Sequence, residues 1–282
     1  MIIVKLQGGL GNQMFQYAVA KCVAGKSNIY LDTDFLNSNI NASDFTKREL
    51  ELPVFKNIKI RIASNINKNL IKKKYPLKRI LYPSKYIYQS EKNEFIDLSQ
   101  IRSYNLYLDG YFQNENYFKD LRNKVLYDFT FPELSDNNKI IAKNISETKN
   151  AISIHIRRGD YLKPSNFAFH GLLPTSYYKK AIQEIETKIV NPHYYIFSDD
   201  VNWCKSNLMF LKTNFTIVSD QKAKSWEDMH LMSLCRHNII ANSSYSWWSA
   251  WLNTNLHKIV IAPSNWFVNN KTEILPSQWI KI

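Results

Sequence analysis

Cysteine is nearly missing: Cys22, Cys204 and Cys235 are the only three in 282 residues, an odd count with wide gaps. Such a set supports neither a disulfide framework nor a zinc site, and it fits a reducing compartment. Glycine is scarce as well, with seven in all. Nowhere do about 18 apolar residues run together, so no membrane-spanning helix is expected. The opening MIIVKLQGGLGN lacks the layout of a secretory signal. Acid is in deficit, with 24 Asp and Glu against 37 Lys and Arg and a formal net charge of +13. That balance suits partners that carry phosphate or lie on an anionic surface. No helix-turn-helix spacing, Cys/His finger or Gly-Phe-rich RNA signature is present, so nucleic acid is not the expected partner. These absences describe a cytoplasmic protein able to work peripherally at a membrane.

What the chain does contain is concentrated in a few places. In AISIHIRRGDY, from Ala151 to Tyr161, Ile152, Ile154 and Ile156 recur with period two and predict a buried strand. Gly159 ends it where His155, Arg157, Arg158 and Asp160 accumulate. Ligands of open α/β sheets bind at strand carboxyl ends, and two guanidiniums there suit an anion with several oxygens, phosphate first. An Arg-to-Asp ion pair bracing a loop accounts for the same residues, and both readings stand at this point.

Three of the seven glycines, Gly8, Gly9 and Gly11, share one turn between a strand at Ile2 to Leu6 and a helix at Gln13 to Gly25, with the next strand at Asn28 to Leu31. The backbone there either turns with positive φ or approaches something closely. A phosphate loop would need Gly-Lys-Ser/Thr, which is missing. A dinucleotide fingerprint Gly9-x-Gly11-x-x-Gly, with Asp32 for the ribose, founders on Met14, so an NAD-dependent oxidoreductase is the weakest reading. A sugar- or phosphate-facing loop offering Asn12 and Gln13 and a plain βα turn both remain.

Asp109 and Gln113 sit among aromatics in LDGYFQNENYF, a surface suited to a sugar or to an aromatic core corner. Lys68, Lys72, Lys73, Lys74, Lys78 and Arg79, interleaved with Leu70, Ile71, Tyr75 and Leu77, form a basic amphipathic segment. It can lie on anionic lipid, each basic residue contributing about 1 kcal/mol, or form a solvated face. Composition shifts between Phe131 and Asn150, which places a domain boundary near Asn150 and divides the chain into 1–149 and 150–282.

In the second half, strands about 20 to 25 residues apart with helices between them predict a doubly wound parallel sheet ending at Lys258 to Ala262. Its rim should gather Arg157, Asp199 and the turn from Asn242 to Ser246. Asn242-Ser243-Ser244 leads from strand into helix, an anion site or simply an N-cap. Asp228 suits a guanine edge or a ribose diol, or is an ordinary first-turn carboxylate. Asp32-Thr33-Asp34 is the one Asp-x-Asp, with no third ligand at a recognisable spacing, so a metal is not expected.

Taken together, GGLGNQMFQYA from Gly8 to Ala18, HIRRGDY from His155 to Tyr161 and NSSYSWWSAWL from Asn242 to Leu252, supported by LDGYFQNENYF and EDMHLMS, resemble the bacterial α-1,2-fucosyltransferases of glycosyltransferase family 11. The His-x-Arg-Arg-x-Asp motif is shared with α-1,6- and protein O-fucosyltransferases and by itself indicates the donor, not the linkage. The resemblance implies an α/β fold of GT-B type, two Rossmann-like domains facing each other across a cleft. GDP-fucose would be held by the C-terminal domain and the acceptor mainly by the N-terminal one. It implies an inverting transfer of L-fucose to the 2-hydroxyl of a β-galactoside in a surface glycan such as O-antigen, with no metal or other cofactor. The acceptor would be a galactose-terminated oligosaccharide that can ride on a lipid diphosphate at the inner membrane.

Carried over by position, Arg157 grips the β-phosphate and neutralises charge on the leaving diphosphate. His155 and Arg158 hold the donor near the phosphates, Asp228 the guanosine, and Asn242, Ser244 and Tyr245 the phosphates or nucleoside. Gly9, Asn12 and Gln13, with Asp109 and Gln113, close over donor and acceptor. For the general base, Asp160 comes first, His155 second and Asp109 third, while a late-deprotonating path needs little base. A non-catalytic nucleotide-sugar or anionic-glycan binding module of the same fold is the alternative, and the joint presence of Arg157 and Asp160 speaks against it.

Overall fold

The computed structural model describes residues 1–38, 47–71, 83–90, 94–101, 105–211, 214–219, 224–268 and 273–282. The chain forms two compact units, Met1–Pro132 with Thr272–Pro276, and Glu133–Lys271 with Ser277–Ile282. The division therefore falls at Pro132, ahead of the expected boundary near Asn150. The physical reason is the helix Asp136–Glu147, whose Ile145, with the preceding Leu134, is buried against Ala151, Tyr195 and Phe197 of the second unit.

In the first unit, β1 (Ile2–Lys5), β2 (Ile29–Asp32), β3 (Ser84–Tyr88) and β4 (Asn105–Asp109) form a parallel sheet in the order β2-β1-β4-β3. Ile2, Ile3 and Val4 are all buried, as a parallel strand covered on both faces requires. α1 (Leu10–Ala24) follows β1 and buries residues around its whole circumference, Met14 and Phe15 completely, so it reads as apolar without a clean stripe. α2 (Asn65–Ile71) places Ile71 in a cluster with Ile3, Ala63 and Tyr107. Register aligns Lys5 with Asp32 and Val4 with Leu108, bringing Lys5, Asp32 and Asp109 to one edge. Strand order reverses between β1 and β4, so the loops after those two strands share that edge.

In the second unit, β5 (Ala151–Ile156), β6 (His193–Ser198), β7 (Phe215–Ile217), β8 (His237–Ile239), β9 (Val260–Ala262) and β10 (Ile280–Lys281) run parallel in the order β10-β9-β8-β5-β6-β7. The sheet extends past the strand expected at Lys258 to Ala262 to β10, a two-residue strand too short to show a period. On one face Ile152, Ile154 and Ile156 pack against Tyr178, Ala181 and Ile185 of α3 (Thr175–Glu186). On the other, Ala151, Tyr195 and Phe197 pack against Leu231 and Met232 of α4 (Ser225–Leu234). Coverage of both faces explains why β5 is buried along its whole length. α5 (Ser244–Leu252) buries Trp247, Trp248 and Trp251 in the core.

The strands β5 to β7 step one way across this sheet, and β8 to β10 continue from the opposite side of β5. The carboxyl ends of β5 and β8 thus flank a topological switch point, the place where open α/β sheets leave a crevice for ligand. His155 to Asp160 follow one of these strands, and Asn242 to Tyr245 the other.

Candidate functional site

Beyond β5 the Arg157 guanidinium bridges two carboxylates, Asp160 Oδ1 at 2.5 Å and Asp199 Oδ2 at 2.9 Å. Burial works to lower its pKa, but Asp199 and Asp160 outweigh this and hold it above the ordinary value, so the cation is permanent. Asp199 also accepts the Arg158 backbone N–H at 2.8 Å. The Arg158 side chain departs to Asp200 at 3.1 Å and lies 4.4 Å over the Trp203 ring. The two arginines are therefore not a matched pair: Arg158 is engaged in a loop brace, while Arg157 stands between two acids. A Cβ at Gly159 would lie 2.7 Å from Asp199 Oδ2, so the glycine is what lets that carboxylate reach both arginines.

His155 is 4% exposed, and its Nδ1 is buried without a hydrogen-bond partner. Burial, helped by Arg157, pushes its pKa down to about 3, which leaves a neutral and weakly basic imidazole. Its ring lies 5.5 Å from that of Tyr245 in the first turn of α5, whose hydroxyl donates to the Ser225 carbonyl. Ser243, the N-cap residue, makes no side-chain cap to α5. Ser244 opens that helix half-buried. A helix start and a guanidinium are both groups that suit an anion.

Asn242 does not join them. Its side-chain amide donates to the His170 carbonyl at 2.7 Å and to that of Trp266 at 3.4 Å, so it ties loops together. Asp228, in the first turn of α4, accepts the Ser219 hydroxyl at 2.5 Å, and Ser219 Oγ in turn accepts the Ser198 N–H at 2.9 Å. This chain links Asp228 to the carboxyl end of β6.

In the first unit, Gly8 has φ +77°, and a Cβ there would meet the Asn12 side chain at 2.3 Å, so the turn demands glycine. Asn12 Oδ1 accepts Gln113 Nε2 at 2.8 Å, joining the loops after β1 and β4 as the strand order allows. Gln13 was expected to face substrate but is completely buried: Nε2 donates to the Gly8 and Glu49 carbonyls at 3.0 and 2.7 Å, and Oε1 accepts the Glu51 N–H at 2.9 Å. Glu51 Oε2 accepts the Leu10 N–H at 2.8 Å and lies 3.6 Å from where a Gly9 Cβ would be. The start of α1 thus carries an anion from the chain itself, which explains beyond Met14 why this turn is no dinucleotide site. Asp109 is 8% exposed, with Oδ1 on Lys5 at 2.9 Å and Oδ2 accepting the Tyr86 hydroxyl at 2.5 Å.

Lys68 departs from its expected place on an outward basic face. It is 6% exposed, with Nζ 2.6 Å from Asp34 Oδ2 and 3.6 Å from Asp32 Oδ1. Burial lowers its pKa, but Asp34 and Asp32 carry it above the ordinary value, and its ammonium takes the position a cation would hold between those aspartates. No group of three or more potential metal ligands occurs among the described residues. Lys72, Lys73, Lys74, Lys78 and Arg79 lie outside the described residues. No helix among the described residues is long and apolar enough to cross a membrane.

Glu51 and His170 carry no motif in the sequence. Glu51 lies in an irregular polar stretch with no periodicity, and its one signal was a glycine-rich helix start with no cap of its own. His170 is a lone histidine ending a short helix, Pro164–His170, with nothing in its neighbours to single it out.

A family model described as Glycosyl transferase family 11 matches residues 1–282. The O-antigen biosynthesis glycosyltransferase WbnK of Escherichia coli is 36% identical, covering 98% of this chain and 99% of its own. An alpha-1,2-colitosyltransferase, also of E. coli, is 33% identical over 100% of this chain and 99% of its own. Among solved structures, the NodZ alpha-1,6-fucosyltransferase of Bradyrhizobium soaked with GDP-fucose aligns with a TM-score of 0.52 at 14% identity, covering 89% of this chain and 91% of that one. At that identity the likeness speaks for the fold, which is of GT-B type.

Proposed function

The chain belongs to glycosyl transferase family 11, and from that premise we propose that it moves L-fucose from GDP-fucose to the 2-hydroxyl of a β-galactoside in a surface glycan such as O-antigen, inverting the anomeric carbon without a metal. Support for the linkage comes from the alpha-1,2-colitosyltransferase, for the glycan from WbnK, and for the donor from the NodZ complex. The observation that carries the reading is Arg157 fixed between Asp160 and Asp199.

Breaking the bond from the fucosyl carbon to the β-phosphate leaves charge on a phosphate oxygen, and a preorganised cation there stabilises the transition state with no reorganisation. Arg157 does this when a phosphate oxygen replaces one of its carboxylate contacts. His155, Ser244 and Tyr245 complete the phosphate end, Arg158 braces it through Asp200, and Asp228 receives the guanosine. The second unit is then the donor domain, and the first, through Gly9, Asn12, Gln113 and Asp109, the acceptor domain. A lipid-diphosphate-linked acceptor at the inner membrane gives the basic segment without Lys68 its role.

The test is GDP release in EDTA with β-galactoside acceptors, comparing GDP-fucose with GDP-colitose, whose sugar lacks the 3-hydroxyl of fucose. Acceptor-dependent release with GDP-fucose preferred, and an α-1,2 linkage in the product, supports the reading. Preference for GDP-colitose overturns the donor sugar, dependence on a divalent cation overturns the metal-free step, and binding without turnover returns the protein to a glycan-binding module.

A further inference from the structure

His170 lies close enough to Asp160 and Arg157 for both to act on it, yet nothing above employs it. Its imidazole stacks flat on Tyr161, with centroids 4.4 Å apart and an interplanar angle of 8°. Phe169 meets it edge-on at 4.9 Å, and Phe267 lies 5.5 Å away. A closed circuit holds it: the Tyr161 hydroxyl donates to the Asn242 carbonyl at 3.0 Å, and the Asn242 amide donates back to the His170 carbonyl at 2.7 Å. That circuit gives Asn242 a purpose other than phosphate binding. It fixes a ring at the mouth of the switch point, next to the group assigned to the leaving diphosphate.

Within this well-packed setting the His170 Nδ1 is buried with no hydrogen-bond partner. Buried polar atoms are almost always satisfied, and an exception of this kind calls for an explanation, a catalytic role among them. Burial, together with Arg157 and against Asp160, pushes its pKa down to about 4, so the ring is neutral and able to accept a proton. Of the other candidates for the base, Asp160 Oδ1 is engaged by Arg157 and both Asp109 oxygens by Lys5 and Tyr86, while His155, whose Nδ1 also lacks a partner, is 4% exposed and more closed to an incoming hydroxyl than the half-buried His170.

Resting on the fucosyltransferase reading, we propose that His170 is the catalytic residue that accepts the proton of the acceptor hydroxyl. The acceptor oxygen forms its bond to the fucosyl carbon, the electron pair of the breaking bond leaves with the β-phosphate oxygen, and the acceptor proton passes to an imidazole nitrogen of His170. A weak base suffices because a hydroxyl attacking an oxocarbenium-like centre becomes strongly acidic as the new bond forms. The groups that set the charge on the ring are Arg157, Asp160 and the incoming diphosphate, while Tyr161, Phe169 and Phe267 contribute packing.

Azide separates this role from a structural one, since it attacks as an anion and needs no base. His170→Ala and His170→Gln are compared with the native chain for transfer to a β-galactoside, for fucosyl azide formation from GDP-fucose, and for GDP affinity. Transfer is expected to fall by about 100-fold or more, the usual scale for a lost general base, with azide product and GDP affinity held within about threefold. A parallel loss of transfer and azide product, or no loss of either, overturns the proposal. If the native chain turns over no GDP-fucose with either nucleophile, the fucosyltransferase reading fails instead.

Discussion

The carboxylate of Glu51 accepts the backbone N–H of Leu10 at 2.8 Å, which places an anion of the chain itself at the start of α1. Substituting Glu51→Ala leaves that amide without its acceptor, while the bonds of Gln13 to the backbone of Glu49 and Glu51 remain. The cost expected of a lost helix-terminal cap is about 1–2 kcal/mol, so calorimetry should show a melting temperature lower by several degrees. GDP affinity, measured by titration, should stay at the native value. The converse result, an unchanged melting point and lost GDP affinity, would move the nucleotide into the first unit.

Arg157 is held by geometry as much as by charge, so Arg157→Lys should rescue little. A lysine ammonium is a single point and cannot span Asp160 and Asp199 as the planar guanidinium does. Both Arg157→Ala and Arg157→Lys are expected to lower kcat for GDP-fucose by about 100-fold or more, on the scale of one lost transition-state stabiliser. Gly159→Ala should act through the same contact, because the new methyl would displace Asp199 from 2.7 Å. Steady-state kinetics check all three, and native-like activity in Arg157→Lys would show that charge alone suffices.

The legible parts of this molecule were those with a period or a dense motif. Ile152, Ile154 and Ile156 announced β5, and Gly159 marked its end, because a strand covered on both faces must be apolar and must stop at a turn. The approach of Arg157 and Asp199 followed from parallel order alone. Partners were not legible. Asn242, Gln13 and Lys68 have the residue types of ligand-binding groups, and each instead satisfies buried backbone or carboxylate groups brought near by tertiary packing. Gln13 reaches Glu51 across 38 positions of the sequence, a pairing no local pattern encodes.

Lys68 neutralises two aspartates at the edge of the first unit, with Tyr107 donating to Asp32 at 2.5 Å. Lys68→Met removes the cation and leaves Asp32 buried beside a phenol, a change that costs about 3–5 kcal/mol when one partner of a buried pair is lost. Urea unfolding should show a loss on that scale. Binding to anionic vesicles should not change, because a 6% exposed lysine cannot reach lipid. Weakened vesicle binding in a variant of native stability would restore Lys68 to the outward basic face.

His155 ties stability to pH through its burial. Its folded pKa of about 3 lies below the ordinary 6.5, so the unfolded chain takes up a proton that the folded protein refuses. The contribution is fully present above about pH 6.5 and is lost as pH falls from there toward 3, with a slope of about 1.4 kcal/mol per pH unit. Urea unfolding of the native chain and of His155→Gln at several pH values between 7 and 4.5 should give curves whose difference is flat above about 6.5 and changes below it, the variant losing less with acid. Equal slopes for the two proteins would mean that His155 titrates as freely in the folded state as in the unfolded chain, and the neutral buried imidazole beside Arg157 would have to be abandoned.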